Sequence, residues 1–394
     1  MKKQFFGLCI IPLFMLAACG PNLEEYGPAV LFRGNPQRQG RTEETGPDKL
    51  PTVKWKFRTD GEIWSTPVLS DGVLFFGSND NSFYAVDAGS GKELWRFKTG
   101  GMIRGSAAAA YGMVYFDSYD GYLYALDADD GKQVWRFDLL KDSGQENHTV
   151  SYFQWDDYTS SPLVDNGIVY IGARNPSHCL FAVDAFSGGR KWDFAPDEMN
   201  LVRSSPALWG DTVYIGSEYN RFYALDKTSG VLKWTVKTDG NINYGPAVSG
   251  EGTVYFACKD RNCYAVNGAS GAIIWKSLLA PENATWLTGF PALGDGGLLY
   301  VGSSDYHKLI ALKKQTGKTA WEFDAGGWVW ASPLSAKGTV YLAGGQTNKV
   351  FALNAATGKE FWSMKVGGAL YGSPVVADGV LYIGSTDGFL YALE

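Results

Sequence analysis

The sequence predicts an all-β chain, an eight-bladed β-propeller of four-stranded antiparallel blades, with the N-terminal strand completing the last blade. Three observations carry this. An eleven-residue unit with alanine first, glycine seventh and tryptophan last occurs seven times. Its spacing sets a repeat of propeller length, with 40 residues from Trp55 to Trp95 and 40 more from Trp95 to Trp135. Finally, the last repeat is one strand short, and a strand without a repeat stands near the start.

Taken in order, the chain opens on Met1-Lys-Lys3 and an apolar run from Phe5 to Ala18. A basic start and an apolar stretch too short to span a bilayer as a helix read as a signal peptide over residues 1–18. Leu16-Ala-Ala-Cys19 resembles the bacterial lipoprotein box, which implies lipidation of Cys19; the alternative is an ordinary signal peptide with an incidental cysteine. Residues 19–52 are rich in Pro, Gly and charge and lack periodicity, as a tether would. Within them, Leu31-Phe-Arg-Gly-Asn-Pro-Gln-Arg-Gln-Gly40 resembles a leader found before quinoprotein-like repeats. It either packs on the propeller or stays a free linker.

The propeller domain is read as residues 53–394. Its alanine/tryptophan pairs are Ala85/Trp95, Ala125/Trp135, Ala182/Trp192, Ala224/Trp234, Ala265/Trp275, Ala311/Trp321 and Ala352/Trp362. The run into each alanine reads as a strand, and the glycine suits a tight turn needing positive φ. A second strand then carries the tryptophan to a docking position. Most repeats open on a Ser/Thr-Pro element: Thr66-Pro67, Ser161-Pro162, Ser205-Pro206, Ser332-Pro333 and Ser373-Pro374. The eighth repeat stops at Phe389-Leu-Tyr-Ala-Leu-Glu394, and Val53-Lys-Trp55-Lys-Phe57 supplies its missing strand and the eighth docking tryptophan. Closure in this way leaves no free sheet edge around the ring.

The Ala-x-Asp…Gly-Lys…Trp unit resembles the docking motif of pyrroloquinoline-quinone (PQQ) propellers. The whole of residues 53–394 looks like their smaller non-catalytic branch, the outer-membrane assembly lipoproteins of BamB type. The resemblance implies a scaffold on the periplasmic side of a bacterial envelope, lipid-anchored at the outer membrane. Its partner would be an envelope protein such as the β-barrel assembly machinery, the propeller itself being monomeric. The same superfamily holds quinone- and calcium-dependent enzymes, and one fold hosts both kinds.

The channel mouth tests the enzyme reading. The residues three before each Pro67 equivalent are Trp64, Arg104, Thr159, Arg203, Asn243, Thr288, Trp330 and Tyr371. None is acidic, so this ring lacks the hard oxygen ligands calcium takes, and neither a metal nor PQQ is expected. Vicinal cysteines, which the resembling dehydrogenases carry, are absent too. Trp330, Tyr371 and Trp64 belong to neighbouring blades and face Arg104, Arg203 and Asn243. Such a mouth either holds a planar anion or aromatic-rich peptide, or is a plug for a wide channel. A carbohydrate-binding envelope protein is a further alternative that the aromatic wall leaves open.

Insertions point to the same face. The longest, residues 139–159, carries Tyr152, Phe153, Trp155 and Tyr158, and a second long loop carries Trp286. These aromatics either fold back as a lid or anchor a partner. The three histidines lie in separate repeats, with no spacing that suits zinc. Cys258 and Cys263 flank a four-residue turn, and in an oxidising compartment could form a cross-strand disulfide. Basic and acidic residues number 35 and 41, without a basic run, so no nucleic-acid partner is expected.

Overall fold

The computed structural model describes residues 23, 27–141, 159–175, 177–196, 201–282 and 287–394. They form eight antiparallel sheets arranged as the blades of one ring. The eighth joins the chain termini: Val53–Arg58 runs antiparallel to Phe389–Leu393, which continues into Val380–Gly384 and Val375–Ala377. No helix among the described residues is long and apolar enough to cross a membrane.

The repeat unit has a direct structural meaning. Each alanine lies opposite its tryptophan in the ladder of one blade, as Ala85 does Trp95 and Ala125 does Trp135. The eighth such pair, Ala392 and Trp55, joins the two ends of the chain. Every indole then reaches out of its own blade. The Nε1–H groups of Trp55, Trp95, Trp135, Trp192, Trp234, Trp275 and Trp321 donate to carbonyls of Ala88, Ala128, Ala185, Lys227, Gly268, Lys314 and Ala355, in the next blade's outer turn. Trp362 has no such turn to meet, because blade eight is interrupted there by the termini, and it donates to Pro47 O instead. The glycine follows from the same contact. Gly91 sits at φ 70°, and a Cβ there would stand 2.6 Å from the Trp55 ring. Both its conformation and the overlying indole exclude a side chain.

Between blades the core is aromatic. Phe83 stacks on Phe116 of the next blade at 3.9 Å, and Phe222 on Phe256 at 4.3 Å. Inter-blade stacking of this kind buries each sheet's two faces against its neighbours and divides the core into separate hydrophobic clusters around the ring.

The segment read as a tether is built into the ring from residue 30 to residue 47. Val30–Leu31 adds a fifth strand to blade two and Arg41–Thr42 a fifth, parallel strand to blade seven. Between them the chain crosses the channel. Arg38 is fully buried and donates to the carbonyls of Phe32, Ser161, Pro162 and Pro206. Arg33 donates to those of Arg38, Pro291 and Pro333. A proline carbonyl facing the channel has no ladder partner, and the guanidinium's planar array of donors can serve several at once. Burial lowers the Arg38 side chain to about 9, and burial together with the neighbouring Arg38 does the same to Arg33.

The disulfide expected between Cys258 and Cys263 is corrected: both are free, buried thiols, as is Cys179. Cys263 pairs with Ala257 in the ladder, so Cys258, one residue on, points to the opposite face of the sheet. The two thiols lie in different interblade clusters, and no rotamer joins them. Burial pushes Cys258 and Cys179 up to about 12.

Candidate functional site

The Ser/Thr-Pro elements build the floor of the loop-bearing mouth. The N–H of Thr66 donates to Ser106 Oγ, that of Ser106 to Ser161, and that of Ser161 to Ser205. On the other arc Phe290 N–H donates to Ser332, Ser332 to Ser373, and Ser373 to Thr66. This belt of hydroxyls ties each innermost strand to the next. It breaks at blades five and six, where Gly245 and Phe290 replace the hydroxyl residue. There the Phe290 ring occupies the space a Gly245 side chain would need, and packs edge-on against Phe32 of the crossing segment at 5.1 Å. The sequence shows the Ser/Thr-Pro recurrence but not the belt, since the donor and acceptor belong to different repeats.

Above the belt, the ring residues named from register line one small cavity: Trp64, Arg104, Arg203, Asn243, Trp330 and Tyr371 all reach it. They do so touching one another rather than facing across an opening. Trp64 stacks on Tyr371 at 4.3 Å, Trp330 meets Tyr371 at 5.0 Å, and Trp328 stacks behind Trp330 at 5.9 Å. The Arg104 guanidinium sits 3.9 Å over the Trp64 ring and 5.4 Å from that of Tyr119, and its Nε donates to Asn79. Trp64 Nε1–H donates to Glu62 at 2.6 Å, and Arg203 is ion-paired with Glu218. The space left is about 40 Å³. Small-molecule pockets run to about 300–1,000 Å³, so this one holds a few waters at most.

A quinone with calcium does not fit these residues. The ring positions themselves carry no carboxylate, Glu62 and Glu218 beside them are engaged by Trp64 and Arg203, and a cation already covers the Trp64 face. Among the described residues no group of three or more His, Cys, Asp or Glu could hold a metal. His178 has Asp193 as its neighbour at 2.5 Å. Tyr152, Phe153, Trp155, Tyr158 and Trp286 lie outside the described residues, as does Cys19.

One titratable group beneath this mouth escaped the sequence reading. Asp117 is 4% exposed, beside Thr159, and burial pushes its carboxyl up to about 7. Nothing in its strand, Met113–Asp117, marks it out, because the burial comes from the neighbouring blade.

Fold and mouth together define a PQQ-like eight-bladed propeller whose channel is closed. The sequence profile of the family described as outer membrane protein assembly factor BamB matches residues 51–236, 178–289, 259–346 and 336–394. The chain belongs to that family. Relatives include a quinoprotein ethanol dehydrogenase of Pseudomonas aeruginosa, 27% identical over 189 residues, 42% of this chain and 30% of the relative. The outer membrane protein assembly factor BamB of Yersinia pestis is 27% identical over 176 residues, 41% of this chain and 42% of the relative. The matches therefore span less than half the length of these curated relatives. Among solved structures, BamB from Moraxella catarrhalis superposes with TM-score 0.67 at 19% identity, covering 88% of this chain and 98% of the other. Quinohemoprotein alcohol dehydrogenase from Comamonas testosteroni superposes with TM-score 0.76 at 16% identity, covering 92% and 80%. At such identities the structures establish the shared fold alone.

Proposed function

We propose that the chain is a non-enzymatic envelope scaffold for outer-membrane protein assembly, held at the periplasmic side of the outer membrane by a lipid on Cys19. The observation that carries this is the self-filled mouth: Arg104 on Trp64, Trp64 on Tyr371, and about 40 Å³ between the ring residues. A propeller whose mouth is filled by its own side chains has its outer surface left to work with, and the family match supports a partner in β-barrel assembly. The loops of the same face, with Tyr152, Phe153, Trp155, Tyr158 and Trp286, are the proposed partner anchors. The quinoprotein reading keeps one observation in its favour, the dehydrogenase relatives at equal identity.

A photo-crosslinking residue at position 155, with Val231 on the opposite face as control, tests the scaffold in whole envelopes. Val231 is 63% exposed, so the control is free to report. Capture of a β-barrel assembly component from position 155 alone is the expected result. Dye reduction by the purified chain with PQQ and calcium would sink the reading.

A further inference from the structure

At the other end of the channel, the crossing segment treats the innermost strands as sheet edges. By ladder register, one residue of each such strand turns its N–H to the channel instead of to its own hairpin. In blades four to seven these N–H groups are taken by the segment: Leu208 donates to Pro36 O at 2.8 Å, Val248 to Gln37 O at 2.9 Å, Leu293 to Gln39 O at 2.8 Å and Ser335 to Gly40 O at 2.9 Å. Blade two pairs with Val30–Leu31. In blade three no carbonyl outside the hairpin receives Val164 N–H among the described residues, and the segment meets that strand through Arg38, which donates to the Ser161 and Pro162 carbonyls.

Blades eight and one, neighbours across the ring closure, have no such guest. Their sheets end at Val375–Ala377 and Val68–Ser70. The equivalent residues are Val376, opposite Leu381, and Leu69, opposite Leu74. Among the described residues no carbonyl outside their own hairpins receives either N–H. In front of these two strands the arms of the segment diverge and leave a pocket of about 360 Å³, walled by Val30, Phe32, Leu69, Leu334, Val375 and Val376. Charge reaches it only as a mixed set, Arg33 and Arg41 with Glu44 and Asp378, which favours no ionic guest.

The chain's next residues are committed elsewhere. Thr45 O receives Gly379 N–H, Pro47 O receives Tyr341 and Trp362, and Thr52 pairs with Glu394 before the closing strand begins at Val53. We propose that this pocket receives a short, extended, apolar segment of a partner polypeptide, docked by main-chain hydrogen bonds onto the inner edges of blades eight and one. The guest's carbonyls take the Val376 and Leu69 N–H groups, and its apolar side chains fill the walls, as in strand addition to an exposed edge. Val30–Leu31 on blade two and Arg41–Thr42 on blade seven show in the same molecule that such edges accept extended backbone. The site lies on the face opposite the inserted loops and does not depend on the assembly role.

The test is a capped, fluorescein-labelled heptapeptide of alternating valine and threonine, titrated into the full chain by anisotropy and by amide hydrogen exchange. Saturable binding is expected, with exchange at Leu69 and Val376 slowed at least tenfold and exchange at Leu208 unchanged. Leu69→Pro and Val376→Pro each remove one channel-facing donor on an edge strand, where proline is tolerated. Each should leave the circular dichroism spectrum intact and weaken binding at least tenfold. Ala377→Trp, which narrows the pocket at its rim, gives the same loss if a proline variant fails to fold. No saturable binding, unchanged binding in the folded variants, or protection elsewhere overturns the proposal. It is equally overturned if labelled oleate, and not the peptide, fills the pocket, or if the variants instead abolish dimerisation of the chain.

Discussion

The two ends of the channel are closed by different means. At the loop-bearing end the blades close it with their own side chains, an arginine lying on a tryptophan and three further aromatics packed alongside. At the other end a stretch of main chain enters from outside the repeats, pairs with sheet edges and sinks two guanidinium groups among proline carbonyls. Side-chain closure is divisible, since it is made of separate pairwise contacts between neighbouring blades, as Arg104 of blade two makes with Trp64 and Asn79 of blade one. Main-chain closure is shared: the one side chain of Arg38 reaches carbonyls of both blade three and blade four. The second end should therefore matter more to the stability of the whole ring than the first.

The largest expected effect is at Arg38. Arg38→Ala leaves the carbonyls of Phe32, Ser161, Pro162 and Pro206 without their donor. At about 1–3 kcal/mol for each buried unsatisfied acceptor, the loss should be roughly 5 kcal/mol or more, read as a fall in the urea midpoint. A loss under 1 kcal/mol would dissolve the distinction between the two ends.

Next comes Asp117, buried below the loop-bearing mouth. With its carboxyl raised to about 7, the folded chain keeps a proton that the unfolded chain releases. Stability should therefore be full below pH about 4, fall as pH rises to about 7, and stay low above that. Asp117→Asn removes this slope and at pH 8 should stabilise the chain by at most about 4 kcal/mol, the free-energy equivalent of the shift. Denaturant midpoints of both proteins from pH 4 to 8 check it; parallel curves would mean that the carboxyl ionises freely.

Arg104→Ala, the counterpart of the Arg38 change at the side-chain end, should have the smallest effect. It removes a cation–π contact and a hydrogen bond to Asn79, worth about 1 kcal/mol together. Its urea midpoint, set beside that of Arg38→Ala, measures the difference between the ends directly.

Much of this architecture can be read from the residues. The docking tryptophans are legible because every blade solves the same problem: an indole must cover the next blade's turn, and only glycine fits beneath it. The mouth residues follow from counting back from each proline, as strand register is conserved through the ring. Reading fails where partners come from different repeats or from outside them. Arg33 and Arg38 lie in an aperiodic stretch, so nothing in their spacing shows that they are buried. The two cysteines looked paired because they flank one turn, but a one-residue offset in the ladder puts them on opposite faces.

The sequence by itself determined the blade, the number of blades and the closure of the ring, because these depend on short-range pattern repeated at fixed intervals. Only the tertiary structure decided what fills the channel. Which carbonyls Arg38 meets, how Phe290 displaces the hydroxyl belt, and which strand edges remain unpaired all depend on the ring bringing distant residues to one axis. That convergence has no periodic trace along the chain.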